Sequence, residues 1–180
     1  MPIGATVTTD AIWKKAYGSL ETGLLHTTTF GGNARACVCA VATIKTLIQK
    51  KLPENAEKIG NYLLTNLVQL KARFSILRDI RGKGLMMGVG LARLKGNSRL
   101  VEGALTIWIA RQLLKKHRII TAFTMNNLDV LRIAPPLIIE QKEADRFLNA
   151  LEDVLRSVEK FKWFGFVKQE RTDLNKITRH

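Results

Sequence analysis

The sequence predicts an α/β chain whose main part, residues 54–160, is an α+β domain with helices on one face of a small antiparallel sheet. Apolar residues recur with a helical period in three segments, at residues 54–74, 99–117 and 144–158. Shorter β-like segments alternate with them, at residues 77–80, 85–91, 118–123 and 130–133. The order α-β-β-α-β-β-α allows a core to form between one sheet and one layer of helices.

Each predicted element of this domain has a consistent apolar face. On the helix of residues 54–74 that face comprises Ile59, Leu63, Leu67 and Leu70. On the strand of residues 85–91 it comprises Leu85, Met87, Val89 and Leu91. Gly88 and Gly90 lie on the opposite face of that strand, where glycine allows another backbone to approach closely.

Residues 1–50 are predicted to lack a partner layer of their own. Residues 1–8 are β-like, a short helix follows at residues 11–17, and a helix rich in small residues covers residues 34–50. Leu52-Pro53 is expected to end that helix. One strand, a loop and one long helix cannot enclose a core, so we expect this segment to pack against another part of a larger assembly.

An anion-binding pattern precedes the helix of residues 34–50. Residues 26–33 read His-Thr-Thr-Thr-Phe-Gly-Gly-Asn, and Asn33 is suited to cap the helix. The free N–H groups and the dipole of a helix N-terminus attract anions, and glycines let an anion come close. The positive charge of Arg35 in the first turn is unfavourable beside the positive end of that dipole, unless Arg35 also binds an anion. The pattern suits a phosphate, although such clusters also form ordinary capped loops.

Four collinear motifs resemble those of the class III pyridoxal-phosphate-dependent aminotransferases. The motifs are MPIGA at residues 1–5, HTTTFGGN at 26–33, RGKGLMMG at 81–88 and LRIAPPL at 131–137. Asn126-Asn127 resembles the putrescine branch of this family. The resemblance implies the C-terminal part of a fold-type-I transferase with three regions. These are the end of the large cofactor-binding domain with its bridging helix (1–50), the small α+β domain (51–161) and a basic, aromatic tail (162–180).

The resemblance also implies roles for three residues. Thr28 and Thr29 match the cofactor-phosphate site, with Thr29 reaching across a dimer interface; the alternative is that they only cap and pack. Arg132 matches the arginine that binds the substrate carboxylate; the alternative is a solvated arginine on an edge strand. The family's Schiff-base lysine is expected upstream of Met1. No catalytic residue is therefore assigned, and the chain alone is expected to be inactive.

The function that the resemblance implies is aminotransfer in a complete enzyme. Pyridoxal 5'-phosphate would be the cofactor, a diamine or other ω-amino compound such as putrescine the donor, and 2-oxoglutarate the acceptor. The expected partners are the small-molecule amine and keto acid, together with a homodimer mate or the missing large-domain portion. The alternative is a non-catalytic interaction or regulatory domain derived from the same fold.

Composition argues against several other classes of protein. The net charge of +14 is spread evenly, with 12 basic and 5 acidic residues in 1–90 and 17 and 10 in 91–180, which does not favour a nucleic-acid-binding module. Apolar runs are too short for a membrane span. Cys37 and Cys39 cannot bridge each other on a helix and are expected to be buried, reduced thiols. With three histidines and two cysteines we expect no metal site, and we expect a cytoplasmic protein.

Overall fold

The computed structural model describes residues 2–25, 27–92 and 99–160. The chain divides into two compact units, one ending at Lys51 and the other beginning at Leu52. The first unit contains the helices α1 (Asp10–Tyr17) and α2 (Ala34–Gln49). The predicted tail, residues 162–180, lies outside the described residues.

The β-like segment predicted at residues 1–8 is wrong, because residues 2–9 form no strand. A strand needs a neighbour to accept its backbone N–H groups, and the described part of the first unit consists of helices, turns and irregular chain. The predicted short helix is confirmed as α1. The hydroxyl of Thr9 caps it by accepting from the N–H of Ile12.

Helix α2 forms where it was predicted but buries almost none of its surface. Ala36 is its one buried residue. Four large apolar side chains on it are exposed: Val38, Val41, Ile44 and Ile48. The prediction of buried thiols is wrong, because Cys37 and Cys39 are both exposed. Small residues allow close packing only where a second layer is present, and the described part of the first unit offers none.

The second unit contains the three predicted helices and four strands. In chain order they are α3 (Leu52–Arg73), β1 (Leu77–Lys83), β2 (Met86–Leu91), α4 (Arg99–His117), β3 (Ala122–Thr124), β4 (Asn127–Ile133) and α5 (Gln141–Lys160). The predicted order is confirmed. Helix α2 ends before Leu52-Pro53, as predicted, and Pro53 lies in the first turn of α3, where its missing N–H removes no helical hydrogen bond.

The four strands form one antiparallel sheet in the order β1-β2-β4-β3. Helix α3 contacts β1, α4 contacts β3 and β4, and α5 packs on α3 and α4. The strands bury seven apolar side chains: Leu77, Met87, Val89, Leu91, Leu131 and Ile133 on the side that faces the helices, and Val130 on the other side. Alternate positions point the other way. We call this other side the open face, and its members include Asp79, Arg81, Lys83, Gly88, Ala122 and Arg132.

The helices complete the core from their predicted apolar faces. Ile59, Leu63, Leu67 and Leu70 of α3 are buried, as are Leu151, Val154, Leu155 and Val158 of α5. The strand predicted at residues 118–123 begins only at Ala122. Arg118 has a positive φ of 55°, and its N–H donates to the carbonyl of Leu114, while the N–H of Ile119 donates to that of Leu113. These bonds close the C-terminus of α4 and keep residues 118–121 out of the sheet.

Candidate functional site

The segment before α2 forms two successive turns that lead into the helix. The N–H of Gly31 donates to the carbonyl of Thr28 at 3.1 Å, and the N–H of Asn33 donates to that of Phe30 at 3.2 Å. Gly32, between them, has a positive φ of 67°, a backbone conformation that glycine adopts without steric cost. The two glycines therefore bring the hydroxyl-bearing residues close to the start of α2.

Glycine at the neighbouring position leaves room for a side chain of the preceding turn. A β-carbon at Gly31 would lie only 2.9 Å from Oγ1 of Thr28, whereas a β-carbon at Gly32 would meet no atom within 4 Å. The missing side chain at Gly31 thus leaves room for the Thr28 hydroxyl. The open space at Gly32 leaves its backbone accessible to a ligand.

The first turn of α2 has the donors that a phosphate needs. The Asn33 side chain accepts from the N–H of Ala36 at 3.2 Å, and the Asn33 carbonyl accepts from that of Cys37 at 3.0 Å. These bonds leave the N–H groups of Ala34 and Arg35 at the open end of the helix, and the threonines at residues 27–29, which precede it in the chain, are exposed. Arg35 is itself exposed and adds a positive charge. The donor set fits the phosphate of a cofactor such as pyridoxal phosphate.

Arg132 is the last residue but one of β4, and β4 is an inner strand of the sheet. It pairs with Gly88 of β2 on one side and with Ala122 of β3 on the other. The alternative that placed this arginine on an edge strand is therefore wrong. The side chain is exposed on the open face, and it forms no ion pair with another described residue. An uncommitted guanidinium fork beside a glycine can receive a carboxylate in a bidentate manner.

A second arginine, to which the sequence reasoning gave no role, lies in the same row of the sheet. Arg81 pairs with Gly88 from the β1 side, so Gly88 separates the two arginines. The guanidinium of Arg81 donates through Nη1 to the carboxylate of Asp79. The RGKG motif contained Arg81, but only the strand register shows that it is a neighbour of Arg132.

The candidate residues belong to different units. Thr28 and Thr29 lie together before α2 in the first unit, and Arg132 lies in the second. Within the described ranges, no cluster of three or more His, Cys, Asp or Glu side chains is placed to hold a metal ion. None of the described helices is long and apolar enough to cross a membrane.

Residues 1–155 match the family description "Aminotransferase class-III". The chain belongs to the class-III aminotransferase family. The resemblance drawn from the four sequence motifs is thereby confirmed, and the match includes both units of the structure. The small antiparallel sheet and its helices form the α/β architecture that this family membership predicts.

Named relatives within the class-III family support the same conclusion. The chain is 37% identical over 159 residues to a putrescine aminotransferase from Pectobacterium atrosepticum, covering 88% of this chain and 31% of that protein. Among solved structures, an ornithine aminotransferase from Plasmodium yoelii is 31% identical, with a TM-score of 0.61 over 73% of this chain and 32% of that one. A PLP-bound amine transaminase from an uncultivated Pseudomonas species is 25% identical, with a TM-score of 0.62 over 74% and 30%. The chain thus spans about a third of the length of these class-III relatives.

Proposed function

We propose that this chain is the C-terminal part of a pyridoxal 5'-phosphate-dependent aminotransferase. Its amino donor would be a diamine or other ω-amino compound such as putrescine, and its acceptor 2-oxoglutarate. The observation that carries the proposal is the family match over residues 1–155. The similarity to a putrescine aminotransferase over 88% of the chain supports the choice of donor.

Thr28 and Thr29 would bind the phosphate of the cofactor. Their hydroxyls are exposed next to the N-terminus of α2, whose free N–H groups and positive dipole end favour an anion. When bound, pyridoxal phosphate supplies the electron sink and carries the amino group between substrates. The residues of this chain would anchor and orient it, Thr29 from across a dimer interface. A homodimer or the missing large-domain portion is the partner that this arrangement requires.

Arg132 would bind the carboxylate of the keto acid. Its position on an inner strand fixes the backbone, and its planar fork matches two carboxylate oxygens. An enzyme with a diamine donor still binds a keto acid in the second half of its reaction cycle. The need for this arginine therefore does not depend on which amine is the donor.

The phosphate assignment can be tested on the 180-residue chain. Pyridoxal phosphate is titrated into the wild type, into a Thr28→Val, Thr29→Val double variant and into Thr65→Val, a control at an exposed threonine on α3. Affinity is expected to fall in the double variant and to stay unchanged in the control. Equal affinity for pyridoxal phosphate in all three proteins would contradict the assignment of Thr28 and Thr29 to the phosphate site.

The chain alone is expected not to transaminate, since the family resemblance places the lysine that carries the cofactor upstream of Met1. Treating the cofactor-loaded chain with borohydride and mapping labelled lysines tests this. Stoichiometric labelling of one lysine, with turnover of putrescine and 2-oxoglutarate, would contradict the expectation. An enzyme assembled with the lysine-bearing segment is then assayed with putrescine, ornithine and acetylornithine. Putrescine is expected to give the highest kcat/KM.

The alternative function is a non-catalytic interaction or regulatory domain derived from the aminotransferase fold. The exposed apolar side chains of α2, including Val38 and Val41, favour it because such a surface binds other proteins. The assembled enzyme separates the two proposals. Turnover supports the aminotransferase, whereas stable association with the lysine-bearing segment and no turnover supports the alternative.

A further inference from the structure

The open face of the sheet gathers cations around a floor of small residues. Arg81, Lys83 and Arg132 are all exposed on it. Gly88 separates the two arginines within one row of paired strands, and Ala122 continues the row beyond Arg132. Both arginines remain exposed, although Val130, on the same face of β4, is buried beside the row. The arrangement suits a small anion that lies across the strands.

The side chain of Arg81 lies over Gly88. Its Cγ and Nε atoms are both 3.9 Å from the position that a β-carbon of Gly88 would occupy. Arg81 therefore lies against the residue that separates it from Arg132. A side chain at this position would also meet Val130, whose Cγ1 lies 3.2 Å from the same point.

The spacing of the two arginines favours two anionic groups over one. Neighbouring strands lie about 4.8 Å apart, so the Cα atoms of Arg81 and Arg132, two strands apart, are separated by about 10 Å. Two positive groups at such a distance repel each other, and a dianion relieves this repulsion at both ends. A five-carbon dicarboxylate carries its two charges on opposite ends of a short chain.

Asp79 restrains Arg81 without using all of its donors. The bond to the Asp79 carboxylate is made by Nη1, and a guanidinium has five N–H groups in all. The remaining groups can donate to a ligand. A side chain that is already held in place loses less conformational entropy when a ligand binds.

We propose that Arg81 is a second anion-binding residue, and that Arg81 and Arg132 together make the open face select dicarboxylates over monocarboxylates. Arg132 binds one carboxylate of the acceptor keto acid and Arg81 binds the other. This inference rests on the proposed function, in which Arg132 binds a keto-acid carboxylate. It adds a specificity-determining residue for a dicarboxylic acceptor.

The test compares the binding of two five-carbon acids, glutarate and pentanoate, to the 180-residue chain by NMR titration. Four proteins are used: wild type, Arg81→Gln, Arg132→Gln and Arg111→Gln. Arg111 is an exposed arginine on α4 and controls for the loss of one positive charge. Arg81→Lys is added because it keeps the charge and removes only the fork. Thermal melts establish that each variant is folded.

Wild type is expected to bind glutarate about tenfold more tightly than pentanoate, because one further charge-assisted contact is made. Arg81→Gln should remove this preference and leave pentanoate affinity unchanged, and Arg81→Lys should reduce it in part. Arg132→Gln should weaken the binding of both acids. Arg111→Gln should weaken the binding of neither.

A glutarate preference that survives in Arg81→Gln, or that falls equally in Arg111→Gln, overturns the inference about Arg81 and leaves the proposed role of Arg132 standing. Unchanged binding in Arg132→Gln instead overturns the carboxylate assignment of the proposed function. Failure of glutarate to bind the wild type overturns both.

Discussion

Gly60 of α3 and Gly84 of the β1–β2 turn touch backbone to backbone. A β-carbon at Gly60 would overlap the carbonyl oxygen of Gly84 and would lie 2.7 Å from its Cα, closer than real β-carbons approach. Gly84 itself has a positive φ of 55° and reverses the chain between the two strands. The contact therefore fixes α3 against the hairpin whose strands carry Arg81 and Gly88.

Gly60→Ala is expected to destabilise the second unit by about 3 kcal/mol, because the added methyl group forces α3 away from rigid backbone. Urea denaturation measures the free energy of unfolding. Asn61→Ala, at the adjacent exposed position of the same helix, is the control and should change it by less than about 0.5 kcal/mol. Equal effects of the two substitutions would show that α3 can shift at no cost.

Much of the second unit follows from hydrophobic periodicity, and its candidate site does not. Helices α3, α4 and α5 were predicted because long amphipathic segments repeat their apolar residues many times. Strand pairing depends on contacts between distant segments, so the row that joins Arg81 to Arg132 could not be read from the chain. The same limit explains Cys37 and Cys39, whose burial was predicted without knowing whether a second layer was present.

The bond between Tyr62 and Asp145 is expected to make stability depend on pH in the alkaline range. The Tyr62 hydroxyl donates to the Asp145 carboxylate at 2.5 Å, and this hydrogen bond, with desolvation and the negative charge of Asp145, raises the pKa of Tyr62 above 10.0. The folded state thus holds the phenol proton more tightly than the unfolded state does. The stabilisation is complete below pH 10.0 and is lost as pH rises through the folded-state pKa.

Tyr62→Phe is expected to reduce the decrease in unfolding free energy that the wild type shows at alkaline pH. The difference in unfolding free energy between wild type and variant should shrink as pH rises above 10.0. Tyr17→Phe, at the other tyrosine of the sequence, serves as the control for general alkaline effects. A wild-type-minus-variant difference that is constant with pH would show that the Tyr62 proton is not linked to folding.

Glu152 is expected to make the free energy of unfolding depend on pH in the acidic range, with stability lost as the pH falls. It accepts hydrogen bonds from Arg73 and from Arg156, and these bonds lower its pKa below 4.5. The stabilisation is present above pH 4.5 and is lost as pH falls through the folded-state pKa. Glu152→Gln should therefore cost more stability at pH 7 than at pH 3. Glu159→Gln, at an exposed position of α5, should show no such change.

Arg132→Lys in the assembled enzyme is expected to raise the KM for 2-oxoglutarate about tenfold, because lysine keeps the charge but cannot form two parallel bonds to a carboxylate. The KM for the amine donor should stay the same, since a diamine has no carboxylate to bind. Steady-state kinetics with each substrate varied in turn measures both. An equal rise in both KM values would indicate that the substitution alters the fold and does not remove a specific contact with the carboxylate.

Hydrogen exchange in the 180-residue chain is expected to be faster in α2 than in α5. Both are long helices, but α2 buries only Ala36, whereas α5 buries Leu151, Val154, Leu155 and Val158 in the core. Helical hydrogen bonds alone give a segment little stability, so opening of α2 should require much less free energy than unfolding of the second unit. Mass spectrometry of peptides from each helix measures the protection. Adding the lysine-bearing segment should slow exchange in α2 and leave α5 unchanged, because α2 has four large apolar side chains exposed, whereas the apolar face of α5 is already buried in the core. Equal protection of the two helices in the isolated chain would mean that α2 is already packed against another surface, such as a second copy of this chain.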